Sequence, residues 1–91
     1  MKVILNKCYG GFSLSQACAD KHSYEIYPWQ DDARTDPQLV AEVEHDADWA
    51  SGESASLYVV DIPDNTTDWY VDSDDGFESI IYVVDGKLHW A

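Results

Sequence analysis

Cys8, in the segment Cys8-Tyr9-Gly10-Gly11-Phe12, has the residue type of a nucleophile. A thiolate there would be favoured by Lys7 and by a helix N-terminus close behind it. The chemistry also needs a base, and His22, His45 and His89 are placed beside Cys8 by no motif. Cysteine is equally a small residue that prefers burial, so no catalytic residue is assigned and the chain is expected to be a non-enzyme. The same segment has a second chemistry. A glycine-containing turn from strand to helix can hold an anion on backbone N–H groups, which makes Cys8, Tyr9, Gly10, Gly11 and Phe12 a candidate ligand loop for a small anion or nucleotide. Neither a third spaced glycine nor Gly-Lys-Ser/Thr follows, and two glycines also serve a tight turn that needs positive φ.

Metal-ligand spacing is lacking. The three His are far apart, and no HExxH, HxxxH or paired CxxC occurs. Asp72-Ser73-Asp74-Asp75-Gly76 resembles a calcium loop, but Gly76 at the sixth position puts Val71 first and Tyr82 twelfth, where Asp and Glu are required. No metal or cofactor is expected.

Carboxylates dominate the chain. There are 18 Asp plus Glu against 5 Lys plus Arg, a net charge of −13. Residues 1–21 hold Lys2, Lys7 and Lys21 against Asp20, whereas residues 22–91 hold only Arg34 and Lys87 against all the other acids. Direct contact with nucleic acid is not expected, because it needs cations to displace counterions from phosphates. Anionic membrane surfaces are disfavoured for the same reason, and no apolar stretch approaches the ~20 residues of a span. A dense acidic surface can simply be solubilising. It can also imitate a polyanion: phosphates on one DNA strand recur every ~3.4 Å of axis. Carboxylates on one face of a strand recur every ~6.6–6.8 Å, and on a helix one turn apart, ~5.4 Å. Glu42, Glu44, Asp46 and Asp48 flank the end of an expected helix, and Asp72, Asp74 and Asp75 crowd one turn. Acids at a helix C-terminus oppose its dipole, which suggests a use other than stability. These seven are the candidate partner-binding acids, expected on one continuous face with the Lys2–Lys21 segment turned away.

The elements that must position these groups fit one domain of 91 residues. Aromatic content is 13%, with four Trp, unlike a disordered acidic tail. The four Trp are expected mostly in the core, with Trp29 and Trp49 as possible interface anchors. Strands are expected at Lys2–Asn6, Ser23–Tyr27, Leu57–Ile62, Trp69–Val71, Ser79–Val84 and Lys87–Trp90, with turns at Asp74-Asp75-Gly76 and Asp85-Gly86. The continuous apolar run Val3–Leu5 suggests a strand covered on both faces. Ser13 and Gln16 have capping-box spacing for a helix over Leu14–Lys21 that buries Leu14, Ala17 and Cys18. Gln30–Arg34 reads as loop. Thr35 or Asp36 caps a second helix with Pro37 in its first turn and Leu39, Val40, Val43 and Ala47 as its apolar stripe. The expected fold is α+β: a mixed, mostly antiparallel sheet of four to five strands with two helices on one face. With no secretory signal and two cysteines, Cys8 and Cys18, read as free thiols, a cytoplasmic setting is expected.

The segment Lys2-Val3-Ile4-Leu5-Asn6-Lys7-Cys8-Tyr9-Gly10-Gly11-Phe12-Ser13-Leu14-Ser15 resembles the opening of a family of small phage and prophage proteins without assigned function. Arg34–Val40, Leu57–Pro63, Asp75–Glu78 and Val84–Leu88 are similar to its middle and end, whereas Glu44–Glu53 matches least well. The resemblance implies a phage or prophage setting inside a host cell and supplies no activity. The combined expectation is a non-enzymatic accessory protein that binds and inhibits a basic, nucleic-acid-handling host protein as an acidic decoy, of anti-restriction or anti-CRISPR type. The alternatives are a small-ligand domain using the Cys8–Phe12 loop and a structural phage protein whose acidity serves solubility.

Overall fold

The computed structural model describes the backbone of all 91 residues and the side chains of all but Gln30 and Asp31. The fold is α+β, with strands β1 (Lys2–Asn6), β2 (Leu57–Asp61), β3 (Asp68–Asp74), β4 (Phe77–Val84) and β5 (Lys87–Trp90). The helices are α1 (Gln16–His22), α2 (Gln30–Ala33), α3 (Pro37–His45) and α4 (Ala47–Ala50), of which α2 and α4 are single turns. All three ladders are antiparallel.

The strands form two sheets rather than one: β1–β2, and the meander β3–β4–β5. The alternation of side chains along β1 and β2 explains the division. Ile4, Leu57 and Val59 point into a core with Leu14, Cys18, Leu39, Val40 and Val43 from the helical segment. Val3, Leu5, Tyr58 and Val60 point the other way, into a core with Ile80, Trp69, Val71 and Tyr82 of the meander. The two-stranded sheet is thus the middle of three layers, which is why Val3–Leu5 is apolar without interruption. An isolated bridge between Lys7 and Phe77 is where β1 touches β4.

Local chemistry sets the element ends. Asp36 caps α3, its Oδ1 accepting the Gln38 N–H at 2.9 Å, and Pro37 takes the first helical position. Ser15, not Ser13, caps α1, accepting the Cys18 N–H at 3.1 Å. Within α1, Cys18 and Ala19 are buried and Ala17 is exposed. Ser23 ends α1 in the left-handed conformation. The strand expected over Ser23–Tyr27 is absent: Leu14 donates to the Ile26 carbonyl, but Ile26 and Tyr27 lie exposed and have no core to alternate against. The loop expected over Gln30–Arg34 begins with the turn α2 because the Ala33 N–H reaches the Trp29 carbonyl. Both meander turns are Asp-Gly pairs with positive φ, Asp75-Gly76 and Asp85-Gly86, the two-residue hairpin geometry that matches strand twist. Trp90 departs from the expected core position, whereas Trp29 and Trp49, set apart at the polar loops, are exposed. Trp29 is 76% and Trp90 63% exposed, and Trp69 is only partly covered.

One buried ion pair joins the layers. Arg34 is 2% and Glu78 5% exposed. The guanidinium donates to both Glu78 carboxylate oxygens, at 2.8 and 2.7 Å, and to the Ile4 carbonyl at 2.8 Å. Glu78 also accepts the Asn6 N–H at 2.8 Å, and Arg34 lies over the Phe12 ring with Cζ 4.3 Å from its centroid. Removing one partner leaves the other charged and buried, which costs about 3–5 kcal/mol. Glu78→Ala and Arg34→Ala should each lower the urea midpoint by an amount corresponding to that loss. The double replacement Arg34→Met with Glu78→Leu should recover part of it.

A second polar contact ties α1 to α3. The Tyr24 hydroxyl donates to Asp36 Oδ2 at 2.6 Å. That hydrogen bond holds the Asp36 carboxyl below its usual range, with the Gln38 and Leu39 amides adding to it, and the phenol is pushed up to about 12. A lowered carboxyl contributes stability above its unfolded value, about 4, and loses it as pH falls through the lower folded value. Tyr24→Phe should therefore cost about 1 kcal/mol at neutral pH. The gap to wild type in urea unfolding should narrow as the solution is acidified below that range.

Candidate functional site

The carboxylates fall into two groups on opposite sides of the β1–β2 layer. Glu42, Glu44, Asp46 and Asp48 belong to the helical layer, Asp72, Asp74 and Asp75 to the meander. One continuous face is not what the layers produce, nor does the Lys2–Lys21 segment turn away. Lys2 Nζ sits 2.9 Å from a Glu44 oxygen, and Lys21 pairs with Glu42, whose other neighbour is His22 at 3.2 Å. The Lys21 ammonium, with His22 beside it, holds the Glu42 carboxyl below the usual range. Asp46 Oδ1 accepts the Trp49 N–H at 3.1 Å and caps α4, and Asp48 lies in the first turn of that helix, where negative charge is favoured. The acids that look misplaced at the end of α3 thus serve a cap, a helix start and two ion pairs.

The hairpin acids are arranged differently. Asp72, Asp74 and Asp75 are exposed. No ion pair reaches them among the described residues. Pairing of Asp72 with Ser79 and Asp74 with Phe77 puts both carboxylates on the meander face that also carries Asp68. Asp75 sits at the turn with φ 55°. These positions follow from the hairpin: strand alternation sends every second residue outward, and the Asp-Gly turn fixes the register.

The loop at residues 8–12 packs against this hairpin. The Asn6 side-chain amide, fully buried, donates to the Cys8 and Gly76 carbonyls at 2.7 Å each, and its oxygen accepts the Ser56 N–H at 2.8 Å. Tyr9 and Phe77 rings lie 5.5 Å apart. Both loop glycines have local reasons. Gly10 lies directly against Ser54, leaving no space for a side chain, and Gly11 has φ +89°. The loop does not run into a helix N-terminus, because Leu14 first bridges to Ser51 and α1 begins at Gln16. The Gly11 N–H is aimed at the Cys8 carbonyl, so that donor of the candidate ligand loop is used internally, and just beyond the loop the Leu14 N–H is aimed at the Ile26 carbonyl. Cys8 is a half-buried free thiol. Of the histidines, His22 faces Glu42, and His89 stacks on Tyr82 with centroids 5.2 Å apart.

Three open clefts line other parts of the surface. One of about 260 Å³ is bounded by Lys21, Glu42, His45, Asp46 and Trp49. One of about 360 Å³ is bounded by Lys2, Thr35, Pro37, Val40 and Glu44, and one of about 370 Å³ by Asp61–Asp64. None of the three contains a residue of the 8–12 loop. Among the described residues no three His, Cys, Asp or Glu converge as metal ligands, and no helix is long and apolar enough to cross a membrane.

The hairpin tip depends on the loop beneath it. A Cβ on Gly76 would fall 2.6 Å from the Gly11 nitrogen and 2.9 Å from the Tyr9 carbonyl oxygen, at a residue whose φ is already +92°. Gly76→Ala should destabilise the protein by at least about 1 kcal/mol in urea unfolding and shift the amide resonances of residues 9–11 together with those of 74–77. Gly86→Ala, with the same sign of φ but open space around it, should cost less. Comparison with protein families, curated proteins and solved structures finds no match for this chain.

Proposed function

We propose that this chain is a non-enzymatic accessory protein of phage or prophage setting. In this reading it acts inside the host cell by binding a basic, nucleic-acid-handling host protein and obstructing it. The observation that carries the reading is the inequality between the two groups of acids. Glu42, Glu44 and Asp46 are engaged by Lys21 with His22, by Lys2 and by the α4 cap, whereas among the described residues Asp72, Asp74 and Asp75 stand exposed without an ion pair. Exposed acids without an ion pair occur elsewhere too, Asp48 and Glu53 among them, but Asp72, Asp74 and Asp75 gather on one hairpin with Asp68 on the same strand, as a decoy requires. Carboxylates two residues apart on a strand lie ~6.6–6.8 Å apart, about twice the axial spacing of phosphates along one strand of DNA. The acids that contact the partner are therefore the hairpin set, Asp72, Asp74 and Asp75, joined by Asp68 on the same strand. Glu42, Glu44, Asp46 and Asp48 support the helical layer.

The test is capture of host proteins on immobilised protein at low and at moderate salt. The comparison variant carries Asp72→Lys, Asp74→Lys and Asp75→Asn. Asparagine is used at the turn because it tolerates the left-handed conformation. Wild type should retain a basic protein at low salt, and the variant should lose it while keeping its thermal midpoint, since surface charge steers encounter more than it holds the core. A matching set carrying Glu44→Gln and Asp48→Asn should capture as wild type does. Equal capture by the hairpin variant at both salts would sink the proposal.

A further inference from the structure

The meander has one face packed and one face bare. Trp69, Val71, Ile80 and Tyr82 point into the core with Val3 and Leu5. Alternation sends their neighbours outward, and the register aligns them in rows: Tyr70 beside Ile81 beside Trp90, and Val83 beside Leu88. Tyr70 is 48%, Leu88 52% and Trp90 63% exposed. An antiparallel sheet with one solvated face ordinarily carries polar residues there. Here the outward positions of β4 and β5 are largely apolar and contiguous, the pattern of an interaction surface rather than of scattered single residues. Tyrosine and tryptophan are also the residue types that anchor interfaces.

Charge identifies what such a face would take. Asp68 and Asp72 flank Tyr70 on the same outward side of β3, with Asp74 beyond. No outward position on the three strands carries Lys or Arg; Lys87 pairs with Val84, on the inward side. A second copy of this chain would bring a net charge of −13 and the same aspartates against these, so a self-complementary interface is repelled. An anionic membrane is repelled likewise. Carboxylates beside aromatic faces suit a guanidinium or ammonium, which gains from the ion pair and from the ring.

We infer that the outward face of the β3–β4–β5 meander is a docking platform for an extended polypeptide segment of the partner that carries both Arg or Lys and apolar residues on one face, at every second position. The apolar side chains lie on Tyr70, Ile81, Leu88 and Trp90, and the cations reach Asp68 and Asp72. This rests on the reading of the hairpin acids as partner-binding and adds to it. The acids set the encounter and its salt dependence, and the apolar rows hold the complex once formed.

Two synthetic peptides separate the contributions, an Arg–Leu peptide repeating Leu-Ser-Arg-Ser, which puts Leu and Arg on one face of the extended chain, and an Arg–Ser peptide repeating Ser-Ser-Arg-Ser. Each is titrated at low and moderate salt, with amide chemical shifts as the readout. The Arg–Leu peptide should bind more tightly and shift the amides of Tyr70, Ile81, Leu88 and Trp90. The exposed-site variant Tyr70→Ser with Trp90→Ser should weaken it by about tenfold or more while leaving the weaker Arg–Ser binding in place. Replacing Asp68 and Asp72 by Asn should weaken both peptides and flatten their salt dependence. Equal binding of the two peptides, lost only in the Asp→Asn variant, would overturn the platform and leave the acidic reading standing. Binding indifferent to Asp→Asn and to salt would overturn both. Shifts confined to the helical layer, or concentration-dependent dimerisation abolished by Tyr70→Ser with Trp90→Ser, would also overturn the platform.

Discussion

Everything in this fold converges on the Arg34–Glu78 pair. It is the point at which the segment after α2, the first strand and the central strand of the meander meet, through the guanidinium, the Ile4 carbonyl and the Asn6 amide. A buried ion pair is weak evidence of stability for its own sake, since taking two charges out of water offsets most of their attraction. Its value here is geometric. A bidentate guanidinium–carboxylate contact tolerates little misplacement, so it fixes where β4 crosses β1. That crossing sets where the tip of the β3–β4 hairpin meets the 8–12 loop. Asn6 completes the arrangement by fastening the hairpin tip and the 8–12 loop to the same strand.

Cations are scarce in this chain, and their distribution decides which acids remain free. Arg34 is taken by the interior, Lys2 and Lys21 by the α3 acids, and Lys7 lies over the Tyr58 ring. The helical layer is thereby partly neutralised, while Asp72, Asp74 and Asp75 stay without an ion pair among the described residues. Asymmetry matters more than total charge for recognition, because a potential guides a partner only if it differs from one side of the molecule to the other.

Much of this architecture was legible in the sequence. The doubly covered first strand, the Asp36 cap with Pro37 behind it and both Asp-Gly turns were readable because each rests on a local rule. The split into two sheets was not. Val3–Leu5 says that β1 has two covered faces and does not say that strands cover one of them. The α1 start was misplaced because Ser13 and Ser15 offer the same chemistry two residues apart, and only the bridge from Leu14 to Ser51 excludes the first. Arg34 reads as a loop residue in the sequence because burial of a cation is invisible until its carboxylate, far along the chain, is brought to it. The acidic set was half recoverable. The crowding of Asp72, Asp74 and Asp75 in one turn was evident, but the engagement of Glu42 and Glu44 depends on Lys21 and Lys2 arriving from other elements. The exposed face bearing Tyr70, Leu88 and Trp90 went unrecognised because tryptophan was assigned to the core by type. The alternation along β3 and β5, once registered against Ile81, would have separated inward Trp69 from outward Trp90.

The position of β1 in the middle layer also has a kinetic meaning. It is made before every segment that covers it: its ladder partner is Leu57–Asp61, and Trp69, Val71, Ile80 and Tyr82 pack on its Val3–Leu5 face. The meander can close through neighbours in sequence, whereas the β1–β2 ladder must first close a loop containing all the helices, at an entropic cost that rises with loop length. During synthesis Val3 and Leu5 therefore stay uncovered until Ile80 has emerged, whereas the partners of Ile4 are all made by Val59. The acids that crowd the later segments then have a further effect, keeping copies of the unfinished chain apart while its most adhesive strand waits for cover.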